Sequence, residues 1–273
     1  MLQRMWDELA SVDPIGAILY DAKPESRHWT VPDFMASGVR EIDHMLHVIE
    51  GLRIPVKYGR ALDFGSGIGR LTQALGRHFD EVVGVDISPS MVSQARASNA
   101  HGDRCRYHVN GRPDLRLFPD GHFDFVHTTR TLQLMGGKLA RAYLVEFTRV
   151  LAPEGVLVIQ MASHPRDLRT RLKAAREHAW NQALISLRAL ARRPAVPTFG
   201  IHGIPLLELV GTLERRGLSL VAIFPDRRAG SGWESYRYVC RKGDVIEDFL
   251  DPETFVRTDE DAAVVPARGA ALP

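Results

Sequence analysis

The sequence predicts an α/β fold built on a doubly wound, largely parallel sheet. Three observations carry that prediction. From Arg60 onward, short apolar runs alternate with amphipathic helical patterns. The apolar runs show no polar face, so each must be covered on both sides, as crossover helices cover a parallel sheet. The first of them, ALDF at 61–64, opens directly into a glycine-rich turn and a helix.

The elements follow in order. Residues 1–20 carry a helical pattern, and ESRHWTVPDF (25–34) reads as an ordered aromatic loop. In SGVREIDHMLHVIEGL, Val39, Ile42, Met45, Leu46 and Ile49 recur at helical spacing. The alternation then runs ALDF and helix GRLTQALGRHF, EVVGVD and helix SPSMVSQARASNA, CRYHV and a loop, FDFVHT and helix KLARAYLVEFTRVL, and GVLVIQMA. These five strands form the parallel core. After Ser163 the run HPRDLRTRLKAAREHAWNQALISLRALARRP interrupts it, with Leu168, Leu172, Ala175, Ala179, Leu187 and Leu190 at helical spacings until Pro194. A helix in IPLLELVGTLERRG precedes two late strands, LSLVAIF and SYRYVC. The tail from about Asp251 is rich in Ala, Pro and acids, lacks apolar periodicity and reads as disordered.

Composition narrows the function classes. With 45% hydrophobic and 25% charged residues the chain is globular. Thirty-five Lys and Arg against 33 Asp and Glu give +2, too even a balance for a dedicated nucleic-acid binder, so no nucleic-acid partner is expected. The basicity is local: residues 166–193 alone carry +6, leaving the remainder at −4. Cys105 and Cys240 lie far apart in strand-like runs and build neither a disulfide framework nor a zinc site, so a reducing, cytoplasmic location is expected. Acids within the first turns, and no run of about 18 uncharged apolar residues, predict neither a signal peptide nor a membrane span.

The chemistry is concentrated at ALDFGSGIGR, a buried strand ending in an acid and then Gly65, Gly67 and Gly69 at alternate positions. Glycine at a strand-to-helix turn supplies positive φ and lets a ligand approach the backbone. A dinucleotide site wants its third glycine at position 70, where Arg70 stands, and a phosphate-cradling Gly-Lys-Ser/Thr is absent. Twenty-one residues after Gly65, EVVGVD ends in Asp86, where a carboxylate can accept both hydroxyls of an adenosine ribose. The expected ligand is a nucleoside.

At these residues the chain resembles the class I S-adenosylmethionine-dependent methyltransferases, in particular bacterial members of the type 11/12-like kind. LDFGSGIGR resembles the family's first motif and VVGVDISPSMVSQA its second, FDFVHTTRTLQLM the fourth-strand motif, and EFTRVLAPEGVLVIQ the helix and fifth strand that close the cofactor half. The resemblance implies a Rossmann-like sheet of seven strands with the last antiparallel, an N-terminal helical lid and a helical cap insertion. It divides the chain into a lid (1–52), an S-adenosylmethionine-binding core (53–163), a basic helical cap (164–203), a C-terminal helix with the last two strands (204–250) and the tail (251–273).

It also implies roles. Asp63 helps hold the cofactor's amino group, and the backbone from Gly65 through Ser66, Gly67 and Gly69 to Arg70 passes under its methionine portion. Asp86 holds the ribose, Ile87 and Met91 flank the adenine, and Thr128 ends the fourth strand beside the cofactor. Asn110 matches the adenine contact, with Asp114 as the alternative. HTTRTLQLM faces the transferred methyl, and Leu134 stands where many relatives have histidine. No Asp/Asn-Pro-Pro-aromatic motif and no magnesium-holding carboxylate set is present, so nucleobase amines and a metal are not expected.

Methyl transfer from a sulfonium is an in-line displacement, so the protein must align the partners and, for a hydroxyl acceptor, remove a proton. His164, His202 and His127 are the candidate bases. Arg130, with the basic insertion, is expected to hold an anionic acceptor. The insertion reads first as a cap over the acceptor pocket, next as a peripheral contact with an anionic membrane surface, and last as a partner surface. The reading is metal-independent O-methylation of a small-molecule or glycan-type acceptor. A nicotinamide-dependent oxidoreductase and a non-catalytic scaffold are the alternatives.

Overall fold

The computed structural model describes residues 2–19, 29–190 and 200–243, the side chains at 178 and 181–190 excepted. The predicted tail from 251 lies outside the described residues, as does the start of the aromatic segment at 25–28. The elements are α1 (Leu2–Val12), α2 (Pro14–Ile18), α3 (Val31–Gly51), β1 (Arg60–Phe64), α4 (Arg70–Leu75), β2 (Glu81–Asp86), α5 (Pro89–Ala97), β3 (Cys105–Val109), β4 (Phe123–Thr128), α6 (Gly137–Val150), β5 (Leu151–Pro165), α7 (Leu168–Leu190), α8 (Leu206–Glu214), β6 (Leu218–Pro225) and β7 (Trp233–Lys242).

They build one seven-stranded sheet in the order β3-β2-β1-β4-β5-β7-β6. Strands β1 to β5 pair in parallel, and β7 runs antiparallel to both β5 and β6. The expected seven strands with a reversed last strand are present. The winding direction changes between β1 and β4, and in an open parallel sheet the crevice beyond the carboxyl ends of such strands takes the ligand.

Each central strand feeds two apolar layers, because successive side chains point to opposite faces. Leu62, Val83, Val126 and Leu157 pack with Leu144 and Phe147 of α6 and Leu209 of α8. Their neighbours Ala61, Val82, Phe125 and Val156 pack with Ile42, Met45 and Ile49 of α3 and Leu71 and Leu75 of α4.

Two expectations need correction. The segment VPDF is the first turn of α3 and not loop: Thr30 caps it by accepting the Asp33 amide at 3.2 Å, and Pro32 fits a first turn because the N–H it lacks would have no helical partner. The helix after the glycine turn is shorter than predicted, ending at Leu75 with Gly76 as its C-cap. In the basic insertion, the described Leu168, Leu172 and Trp180 are 68%, 61% and 61% exposed. Helical spacing puts residues on one face without supplying anything to cover that face.

The N-terminal helices lie across the carboxyl edge of the sheet. Asp7 of α1 accepts the Ser90 amide at 2.7 Å and the Ser88 hydroxyl at 3.0 Å, and Gln94 donates to the Ala10 carbonyl at 3.1 Å. The bonds from Ser90 hold the Asp7 carboxyl below its ordinary range. This places Trp6 and Ile18 beside the turn after β1.

Candidate active site

The turn from β1 into α4 is fixed by β2. The amides of Gly65 and Ser66 both donate to the Val85 carbonyl, at 2.7 and 3.0 Å. Gly65, Gly67 and Gly69 all have positive φ, at +82°, +52° and +88°, a region side chains rarely enter. A Cβ on Gly65 would overlap Thr131, one on Gly67 would sit 2.8 Å from Ile18 Cδ1, and one on Gly69 2.6 Å from the Tyr107 hydroxyl. The three glycines therefore serve the β4 loop, the N-terminal helices and the β3 side of the sheet respectively.

Beyond this turn lies a cavity of about 340 Å³, within the usual size of small-ligand sites. Its wall includes Asp63, Gly65, Ser66, Gly67, Arg70, Asp86, Ile87, Met91, Asn110 and Arg130, so most of the residues singled out from sequence converge here. Asp86 accepts the Gly67 amide at 2.8 Å and the Ser88 amide at 2.9 Å. Burial raises its pKa, against the pull of these backbone donors. Asp63 is buried, accepts the Thr72 hydroxyl at 2.7 Å and lies 3.5 Å from His127 Nδ1. Asn110 shapes its own loop: its amide donates to the Asp86 carbonyl, its Oδ1 accepts from Arg112 N and its Nδ2 donates to the Asp114 carbonyl.

Known proteins share this architecture. A family described as a methyltransferase domain matches residues 61–155. That stretch holds the glycine turn, Asp86 and Asn110, so residues 61–155 form a methyltransferase domain. A demethylmenaquinone methyltransferase of Tropheryma whipplei (strain Twist) is 36% identical over 110 residues, 38% of this chain and 42% of that protein. The chain thus spans about two-fifths of the length of the curated relatives it matches. A magnesium protoporphyrin IX methyltransferase of Synechocystis PCC 6803, solved with bound S-adenosylhomocysteine, superposes with a TM-score of 0.57 at 16% identity, covering 89% of this chain and 98% of that one. A methyltransferase of Methanosarcina mazei superposes with a TM-score of 0.55 at 18% identity, covering 72% and 97%. These structures share the fold.

The methyltransferase cavity fits its cofactor. Ser66 Oγ and Thr129 Oγ1 are buried without a hydrogen-bond partner, and both residues line the cavity. A buried hydroxyl left without a partner is costly unless a ligand completes it. With carboxylates at Asp63 and Asp86 and a glycine backbone between them, the wall offers acceptors for an amine and for hydroxyls.

Other expected residues lie elsewhere. Gly69 and Thr128 are not in the wall: Gly69 is the left-handed N-cap of α4, and Thr128 donates to the Phe64 carbonyl at 2.9 Å, tying β4 to β1. Asp114 is outside it too, its side chain facing Arg116. None of the three histidines lines the cavity. His127 is buried within β4 behind Asp63, His164 is exposed with its ring 3.1 Å from Ser163 Oγ, and His202 donates its amide to the Gln133 carbonyl. No described side chain of α7 lines the wall, and residues 191–199 of the basic insertion lie outside the described residues.

The structure adds a buried ionic chain that sequence reading missed. Glu41 of α3 meets Arg70 at 2.9 Å and Arg228 at 3.1 Å, and Asp226 meets Arg228 at 2.6 Å and Arg237 at 3.1 Å. Burial alone would raise the Glu41 pKa, yet Arg228 and Arg70 outweigh it and bring the carboxyl down to about 2. Sequence showed Arg70 only as a glycine replaced, and nothing local pairs positions 41, 70 and 228.

Proposed function

We propose that this chain transfers the methyl group of S-adenosylmethionine to an oxygen of a small-molecule acceptor, without a metal. The observation that carries the reading is the single cavity at the β1/β4 switch point, which joins the Asp86 end to a pocket walled by Thr129, Thr131, Leu134 and Met135. Asp86 would accept from the ribose hydroxyls, with Ile87 and Met91 against the base, and Asp63 and the Gly65–Gly67 backbone would hold the amino-acid end. The cofactor supplies an electrophilic methyl on a sulfonium. The chain's part is alignment, since reactants held in line need little further assistance.

Among the described residues, no three His, Cys, Asp or Glu side chains come together as a metal site. The demethylmenaquinone methyltransferase similarity supports a small organic acceptor over a macromolecule. The test is to incubate the protein with methyl-labelled S-adenosylmethionine and a cell extract, and to identify labelled products by mass spectrometry. A labelled small molecule with an O-methyl group is the expected result; label confined to protein or nucleic acid would refute the reading.

A further inference from the structure

The segment after β4 holds one residue in an uncommon conformation. Arg130 has φ +61°, which for a long side chain persists only where surroundings enforce it. They do so through Gln160 of β5, whose Oε1 accepts the Arg130 amide at 2.8 Å. Gln160 is itself fixed, donating to Gln133 Oε1 at 3.0 Å, and Gln133 donates to the Arg228 carbonyl at 3.3 Å. Both glutamines are buried.

What this holds in place is Arg130, a residue of the cavity wall. Among the described residues, no carboxylate comes within ion-pair distance of it. The nearby charges are Arg228, Arg70, Glu41 and Asp226. Glu41 and Asp226 are both engaged by other arginines, so four cations, with Arg237, share two anions. Burial and these like charges push the Arg130 pKa down, yet arginine stays protonated in proteins. The remaining cations of the wall are Arg70, committed to Glu41, and Arg112, exposed on the 110–114 loop. A desolvated cationic excess facing a cavity is offset when an anion enters, and a guanidinium matches a planar carboxylate with two parallel bonds.

We infer that Arg130 is a specificity-determining residue that recognises a carboxylate-class anion on the acceptor. This rests on the methyltransferase reading and names the class of molecule the acceptor pocket takes. The Gln160–Gln133 pair then acts as the mount that aims it, and the basic helix α7 is not needed for the recognition.

The cofactor's own carboxylate could offer the same chemistry, and the experiment separates the two. Protein saturated with S-adenosylhomocysteine is titrated with benzoate, phenyl phosphate and benzamide, and calorimetry is repeated on Arg130→Gln and Arg130→Lys. Benzoate should bind at least tenfold tighter than benzamide, Arg130→Gln should remove that preference, and Arg130→Lys should retain part of it. Affinity for S-adenosylhomocysteine should stay within about twofold in both variants, which also reports that they are folded. Equal binding of benzoate and benzamide, or a preference that survives in Arg130→Gln, overturns the inference. So does preference for phenyl phosphate alone. A loss of S-adenosylhomocysteine affinity in Arg130→Gln, with methylthioadenosine affinity retained, assigns Arg130 to the cofactor and also overturns it. Failure of the unaltered protein to bind S-adenosylhomocysteine would instead strike the underlying methyltransferase reading.

Discussion

Asp86 Oδ2 accepts the Gly67 amide at 2.8 Å, so the carboxylate that closes β2 also holds the turn that closes β1. One residue thus links the proposed ribose contact to the shape of the glycine turn. Asp86→Ala should therefore weaken S-adenosylhomocysteine at least 100-fold, about 3 kcal/mol for two charge-assisted hydrogen bonds. It should lower unfolding stability as well, since Gly67 and Ser88 lose their acceptor. Unchanged affinity by calorimetry would remove the assignment.

Glu41 gives the fold a pH dependence of defined sign. Its folded pKa of about 2 lies below the ordinary 4.5. A depressed carboxyl contributes stability that is present above pH 4.5 and lost as the pH falls toward 2. The contribution is about 3 kcal/mol at neutral pH. Glu41→Gln should lose a similar amount in urea unfolding and should flatten the curve between pH 4.5 and 2. An unaltered slope would mean that the buried chain is not held by charge.

The glycines should separate. Gly67→Ala forces a Cβ toward Ile18 at φ +52°, and Gly69→Ala toward Tyr107 at φ +88°. Each should cost about 1–2 kcal/mol of stability from the backbone alone. Of these two, only Gly67→Ala is expected to weaken S-adenosylhomocysteine more than tenfold, because Gly67 borders the cavity and Gly69 does not. Equal losses of cofactor affinity in the two variants would contradict the division.

Gln160→Leu removes the acceptor of the Arg130 amide and strands the Gln133 amide group in the interior. A loss of about 2–3 kcal/mol in thermal or urea unfolding is expected. Once an acceptor is in hand, its apparent Michaelis constant should rise while cofactor affinity holds. A variant with native stability would show that the network is dispensable.

Transfer should continue in excess EDTA. Recovery of a chelator-suppressed rate by magnesium would overturn the metal-independent reading.

Much of this was legible in the sequence, for identifiable reasons. Strands buried on both faces leave continuous apolar runs, and EVVGVD, CRYHV and FDFVHT coincide with β2, β3 and β4 to the residue. The glycine turn and Asp86 were legible because positive φ and a strand-end acid are local properties. Glu41, Gln133 and Gln160 were not, since each acts through partners at least 25 positions away, and Asp226 meets Arg228 and Arg237 only through the turn between β6 and β7. The histidines misled because proximity in sequence to a strand end does not say which way a side chain turns: His127 faces Asp63 inside the sheet, and His164 faces outward. Leu168 and Leu172 of the basic helix show the same limit, helical spacing on exposed side chains.

The long excursion through α7 leaves β5 at Pro165 and returns where Ile204 donates its amide to the Ala162 carbonyl at 2.9 Å. Departure and re-entry are thus neighbours on one strand end, joined by backbone bonding. A segment whose two ends lie together can be lengthened at little entropic cost, about 0.6 kcal/mol per doubling. It can also be exchanged without disturbing strand register. The appendage is anchored like a graft: its described ends meet the sheet at one strand end, so its surface chemistry is free to drift while the sheet below keeps its register.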